Sequence, residues 1–264
     1  MTSQRKSRSA LGKWFERLTA ATFLGGQVIV HILRGRFNRR MTIEQMAAVG
    51  PDSLLIALVT AGFVGMVFTI QVAREFIYFG AGTAVGGVLG LSLSRELAPV
   101  LTAVVLAGRV GSAFAAEIGT MRVTEQIDAL YILRTDPIDY LVVPRFLACC
   151  LMLPLLTILS LLMGMAGGLA IATHLYQIPQ SVFINSARTF LEYWDITSAI
   201  IKSVVFGGLI AVIGCSWGLT TTGGAKGVGQ STTTAVVTSL LAIFVANFFL
   251  SWVMFQGLGS ALVG

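Results

Sequence analysis

LACCLMLPLLTILSLLMGMAGGLAIA, residues 147–172, decides the fold of this chain. It is apolar throughout. A helix of about 20 residues crosses a hydrocarbon core of about 30 Å, so this run suffices alone. A backbone exposed to lipid must satisfy its own hydrogen bonds, which makes the run a helix. Working outward, residues 54–72, 85–107, 196–219 and 235–255 form four more such runs. Composition agrees: 55% of the 264 residues are apolar and 11% are charged, against about 25% charged in an ordinary soluble domain. Mean hydropathy is +0.84. Too few polar residues exist to clothe a soluble fold, and the length fits one membrane domain without a second, catalytic one. The expected fold is an all-α integral membrane protein with five transmembrane helices.

Charge sets the orientation. Arg5, Lys6, Arg8, Lys13, Arg17, Arg34, Arg36, Arg39 and Arg40 fall in the first forty residues. In another chain this would suggest a nucleic-acid-binding arm, but beside so apolar a remainder it reads as a cytoplasmic, lipid-facing end. With the N-terminus in the cytoplasm, Arg109, Arg122, Arg134, Arg145 and Lys226 join that side. Arg74 and Arg188 lie opposite, and Arg95 and Lys202 fall within spans. The split of 14 to two supports five spans with the C-terminus outside. Residues 1–12 form a basic, disordered tail. Residues 13–40 hold an interfacial amphipathic helix and a basic linker, with Trp14, Phe15 and Leu18 dipping into lipid while Lys13, Glu16 and Arg17 stay wet. A signal peptide is the competing reading, but no small-residue cleavage site is evident.

Several chemistries are excluded. Cys149, Cys150 and Cys215 lie in apolar runs without CxxC spacing and read as packing residues. There is no GxxxxGK[ST], HExxH, GxSxG or His/Cys metal motif. The segment TTTGGAKGVGQSTTT, residues 220–234, has Gly227 where a phosphate loop needs Ser or Thr after its lysine, and reads as a flexible cytoplasmic loop. His31 and His174 sit near span ends. No catalytic residue, metal or cofactor is expected in this chain.

Two features depart from the apolar rule. Arg95 and Glu96 interrupt the second span and Lys202 the fourth. A charge at mid-bilayer costs at least about 3 kcal/mol, so such residues face a cavity or one another. They form either a buried ion pair that orders the bundle or a polar site on a translocation path. In the second reading Arg95 and Lys202 attract an anionic group, such as a lipid phosphate, and Glu96 partly balances them. Neighbours in a helix diverge by about 100°, which predicts different roles for Arg95 and Glu96. The other feature is a long loop, residues 108–146, placed in the cytoplasm. Glu117, Arg122, Glu125, Asp128 and Asp136 alternate there with apolar residues. Residues 125–133 have helical spacing, with Ile127, Leu130 and Tyr131 on one face and Glu125 and Asp128 on another. This is either an amphipathic surface helix or a docking element for a soluble ATPase. Stripes of small residues, such as Gly207, Ala211, Gly214 and Gly218, let helices approach closely, within one chain or across a dimer.

RELAPV (95–100), AGRVGSAFAAEIGTMRVTEQIDAL (107–130), DP (136–137), PRF (144–146) and IKSVVF (201–206) resemble the MlaE family of ABC transporter permeases, whose plant relatives are the chloroplast TGD permeases. The likeness covers the chain from about residue 11 and makes residues 41–264 an MlaE-type permease domain. It implies a homodimeric permease with one interfacial helix and five transmembrane helices per subunit. It further implies partnership with a separate ABC ATPase, which binds ATP and Mg, and with an MCE-domain lipid-binding protein. The implied cargo is phospholipid or a related lipid. The resemblance places Glu125, Gln126, Asp128, Ala129 and Leu130 in the coupling helix that contacts the ATPase, with Glu117 and Arg122 near it. It matches Arg95, Glu96 and Lys202 to the lipid cavity. Some bacterial members carry an acidic residue where this chain has Asn247, so charge balance around Lys202 differs. A bacterial inner membrane is the expected location, the chloroplast-like resemblance pointing to a cyanobacterium, with a plastid inner envelope as the alternative. Two rival functions remain at this point: an ion-coupled secondary transporter using Glu96, and a structural scaffold for an MCE complex. An intramembrane enzyme would need a nucleophile–base pair, and none is evident.

Overall fold

The computed structural model describes residues 10–34 and 38–257, with side chains for 17–34 and 38–256. Residues 1–9 of the tail expected over 1–12, and the side chains of Lys13, Trp14, Phe15 and Glu16, lie outside that description; residues 10–12 are not tail but the first turn of a helix. Every regular element among the described residues is helical.

Helix α1 (Ala10–Leu33) precedes α2 (Arg39–Val49), which Asn38 caps by accepting hydrogen bonds from the backbone N–H groups of Arg40 and Met41. The basic linker expected up to residue 40 is therefore shorter than expected. Gly50 and Pro51 turn α2 into α3 (Pro51–Tyr78), Pro51 standing where a helix start needs no N–H. A short 3₁₀ turn then leads into α4 (Val85–Ser92), a π-helical turn (Leu93–Leu97), α5 (Ala98–Leu106), a second π turn (Ala107–Gly111) and α6 (Ser112–Val123). These pieces make one continuous apolar span, Gly82–Val123. The expected loop from residue 108 therefore begins only after Val123, because the small residues of GSAFAAEIGT pack as helix instead of looping out. Next come α7 (Gln126–Ile132), a π turn (Ile138–Val142), α8 (Val143–His174), α9 (Gln180–Phe190), α10 (Tyr193–Leu219) and α11 (Gly224–Trp252).

Among the described residues, five helical stretches are long and apolar enough to cross a membrane: Arg39–Tyr78, Gly82–Val123, Ile138–His174, Tyr193–Leu219 and Gly224–Gln256. The protein is thus an all-α integral membrane protein. Residues 220–234 are not the loop that their glycines suggested. Gly223 (φ +92°) and Gly224 (φ +65°) make the turn, a conformation that β-carbons disfavour, and the threonines continue into α11. Each of Thr232, Thr233 and Thr234 returns its hydroxyl to the carbonyl four residues back.

Small residues set the helix spacing inside the bundle. A β-carbon on Gly65 of α3 would stand 2.0 Å from the Gly164 carbonyl of α8, and one on Gly207 of α10 would stand 2.6 Å from the Cys149 carbonyl. The stripe at Gly207, Gly214 and Gly218 is therefore used within the chain, against α8 and α6. The largest core joins Leu24 and Val28 of α1 to Leu106, Ile118, Leu153, Phe206 and Ile210. A second cluster, with Val85, Leu89, Ala172 and Phe183, seats α9 over α4 at the opposite end of the bundle.

Candidate functional site

The π turn at Leu93–Leu97 and the proline that follows it create the site. Pro99 has no N–H to give the carbonyl of Arg95, four residues back. Lys202 Nζ from α10 donates to that carbonyl at 2.6 Å. The same ammonium donates to Glu96 Oε1 at 2.8 Å and to Ser251 Oγ at 2.8 Å. Ser251 in turn donates to Glu96 Oε1 at 2.7 Å, and Asn247 Nδ2 donates to Glu96 Oε2 at 2.7 Å. Lys202 is fully buried, whereas the Glu96 side chain keeps 44% of its surface. Spans two, four and five thus meet through one carboxylate.

Arg95 turns elsewhere, as the divergence of neighbouring helical residues requires. Its Nε donates to Asp195 Oδ1 at 2.7 Å, the Arg95 side chain 40% exposed and that of Asp195 fully buried. Asp195 is held by the start of α10, where its Oδ2 accepts the backbone N–H of Glu192 in a capping box. The ring of Phe255 lies 4.7 Å from the Arg95 guanidinium carbon and 5.8 Å from Lys202 Nζ. Both cations therefore have carboxylate partners, and the expected surplus of positive charge is absent from this cluster. Arg95, Glu96 and Lys202 do come together, and two of them remain half open.

Sequence reading missed Asp195, Ser251 and Phe255. Asp195 lies one residue before the apolar run that begins at 196, and its partner is 100 positions away; no local spacing announces that pairing. Asn247, noted only as a departure from an acidic residue, is a donor to Glu96, and its own Oδ1 is buried without a hydrogen bond.

At the other end of the bundle, Arg122 and Asp128 join α6 to α7 at 2.7 Å, and Glu117 of α6 meets Arg145 of α8 at 2.8 Å. Arg145 also donates to the Leu141 carbonyl at 2.9 Å and stands over the Phe114 ring. Glu125 precedes α7 with φ +60°. Glu125, Gln126, Asp128 and Ala129 are exposed, Leu130 is half-buried and Ile127 is buried. Tyr131 does not share the burial of Ile127, with which it was expected to share a face. It is 61% exposed, and Ile132 and Leu133 are 82% and 72% exposed, so the tip of this connection presents three successive apolar side chains. Lys226 is exposed on α11.

His31 of α1 and Asp139 are hydrogen-bonded side chain to side chain, which ties α1 to the connection before α8. Asp136 brings its carboxylate near, so three ligand-type atoms lie within 4.8 Å of one another. The His31–Asp139 bond accounts for this contact by itself.

The family profile described as Permease MlaE matches residues 42–253. A "Probable ABC transporter permease protein" of Synechocystis sp. is 72% identical over 262 residues, 99% of this chain and 100% of that one. Trigalactosyldiacylglycerol 1, a chloroplastic protein of Arabidopsis thaliana, is 52% identical over 256 residues, 97% of this chain and 73% of that one. A "Probable ABC transporter permease protein" of Pyropia yezoensis is 48% identical over 252 residues, 96% of each chain.

Proposed function

The chain belongs to the MlaE permease family, and from that premise we propose that it is the membrane subunit through which a separate ABC ATPase drives lipid between membranes. The cargo in this reading is a phospholipid or related lipid, and the chain works as a homodimer beside an MCE-domain protein. ATP and Mg belong to the partner ATPase. The basic end, with α1 and α7, faces the cytoplasm of a bacterial cell or the equivalent side of a plastid envelope.

One observation carries the lipid reading. Arg95 and Glu96 stand half open within a membrane span while their counter-charges, Asp195 and Lys202, are fully buried behind them. Charges that only order a bundle have no reason to keep an open face in lipid, where exposure is costly. A headgroup in a cavity gives that face its use. The name of the Arabidopsis relative is that of a glycolipid, which agrees with lipid handling in the family.

Energy enters at the other end. The exposed Tyr131, Ile132 and Leu133, flanked by exposed Glu125 and Asp128, suit insertion into a groove on a soluble partner. Arg122–Asp128 and Glu117–Arg145 then connect α7 to the spans. Purification of the tagged chain in mild detergent tests the reading, with co-purifying chains and lipids identified by mass spectrometry. An ATPase chain and bound lipid are the expected finding, and charge reversal at Glu125 and Asp128 together should release the ATPase. A preparation that never carries a nucleotide-binding chain would sink the proposal.

A further inference from the structure

We infer that the half-open site selects lipids whose headgroup carries no net charge and offers both hydrogen-bond donors and acceptors. This rests on the reading of the Arg95–Glu96 face as a lipid site and specifies which headgroups it takes.

The charge inventory comes first. Arg95 and Lys202 supply two positive charges, and Asp195 and Glu96 supply two negative ones, so the cluster sums to zero. A dimer of this chain would repeat the same zero. Lys202 has no donor left for a phosphate, because an ammonium has three N–H groups and all three are taken by Arg95 O, Glu96 Oε1 and Ser251 Oγ. Asp195 is out of a ligand's reach, being fully buried with one oxygen on Arg95 and the other on the Glu192 backbone N–H. The buried half of the cluster therefore neutralises the open half and offers nothing to a ligand.

Two groups face outward. Arg95 uses Nε on Asp195, and its terminal nitrogens make no hydrogen bond to the described residues. Glu96 offers about four acceptor positions, of which Lys202, Ser251 and Asn247 occupy three. The open face is thus a donor fork beside an acceptor edge, with Phe255 under the fork.

An anionic headgroup would place an uncompensated negative charge beside Glu96 in a partly desolvated site, which is costly without a spare cation. A zwitterion matches both groups, its phosphate on Arg95 and its ammonium on Glu96. A sugar headgroup matches them too, because each hydroxyl donates and accepts. The shared chemistry is zero net charge with both hydrogen-bonding senses.

The test uses the full-length chain in mild detergent. It is equilibrated with vesicles of equal parts phosphatidylethanolamine, monogalactosyldiacylglycerol, phosphatidylglycerol and phosphatidic acid, and retained lipid is quantified by mass spectrometry. The two uncharged classes should be enriched about fivefold over the two anionic ones, and their ratio tells zwitterion from glycolipid. Asp195→Asn and Glu96→Gln each raise the cluster to +1. Each should move the anionic-to-uncharged ratio about tenfold toward anionic lipid. Two variants keep the test readable if burial of Asp195 makes its substitution unfold. Enrichment of anionic lipid by the unaltered chain, or equal retention of all four classes, overturns the inference while leaving a lipid site in place. Retention no greater than that of Arg95→Ala, for every class, overturns the lipid reading itself.

Discussion

Substituting Glu96 by Gln keeps the shape of the side chain and removes the charge that balances Lys202. The ammonium would remain fully buried with only neutral acceptors: the Arg95 carbonyl, Ser251 Oγ and the amide oxygen of the new side chain. Removing one partner of a buried ion pair costs about 3–5 kcal/mol, because the other charge is left uncompensated. Lys202→Met is the gentler change. It keeps the apolar stem, and the carboxylate that remains is 44% exposed and still bound by Asn247 and Ser251. Solvent access discounts the loss to about 1–2 kcal/mol. The double variant leaves no charge stranded, so its cost should fall short of the sum of the singles by at least about 1.5 kcal/mol. Loss of one interhelical hydrogen bond in a membrane protein averages about 0.6 kcal/mol, so Ser251→Ala supplies the scale for an ordinary contact. Reversible unfolding in mixed detergent micelles, followed by tryptophan fluorescence, measures all four variants. Additivity within about 0.5 kcal/mol, or a larger cost for Lys202→Met than for Glu96→Gln, would refute this account of the pair.

Other variants probe other parts of the molecule. Gly207→Ala should destabilise the bundle by about 1–3 kcal/mol in the same unfolding assay, since its β-carbon meets the Cys149 carbonyl at 2.6 Å. Gly26→Ala, with open space around it, should be neutral or stabilising by up to about 1 kcal/mol. Arg122→Ala breaks an exposed pair and should cost under about 1 kcal/mol in stability, yet it should weaken ATPase retention in pull-down experiments by loosening α7. Asp139→Asn should leave the unfolding midpoint nearly unchanged while raising amide hydrogen exchange in α1, because His31 loses its charged anchor. Unchanged exchange there would show that Leu24 and Val28 hold α1 by themselves.

The spans were legible because an apolar run of membrane length has few alternatives, and residues 147–172 fall wholly within α8. Arg95, Glu96 and Lys202 were legible because charge inside such a run is conspicuous. Their pairing was not. Which way Arg95 points depends on a π turn, and π turns leave no apolar period of their own. Asp195 escaped notice because it lies outside the apolar run, and its pairing emerges only when α10 packs against the π turn. Glycine-rich stretches misled twice. GSAFAAEIGT and KGVGQSTTT look like loops, yet both are helical because close packing against neighbours offsets their weak intrinsic preference. The α7 tip was half legible: its helix was expected, but the outward turn of Tyr131 depends on how Ile127 anchors the helix below.

In the proposed function, lipid moves through this chain only when a partner ATPase hydrolyses ATP. Its most direct test is reconstitution of the chain into vesicles with and without the ATPase and MCE-domain partners, following transfer of labelled lipid. Transfer should require both ATP and the ATPase and should fall sharply in Arg95→Ala, even though that variant still assembles. Transfer driven by an imposed proton gradient without the ATPase would contradict it and favour a secondary transporter centred on Glu96. Equal ATP-driven transfer with and without Arg95 would remove the polar site from the lipid path.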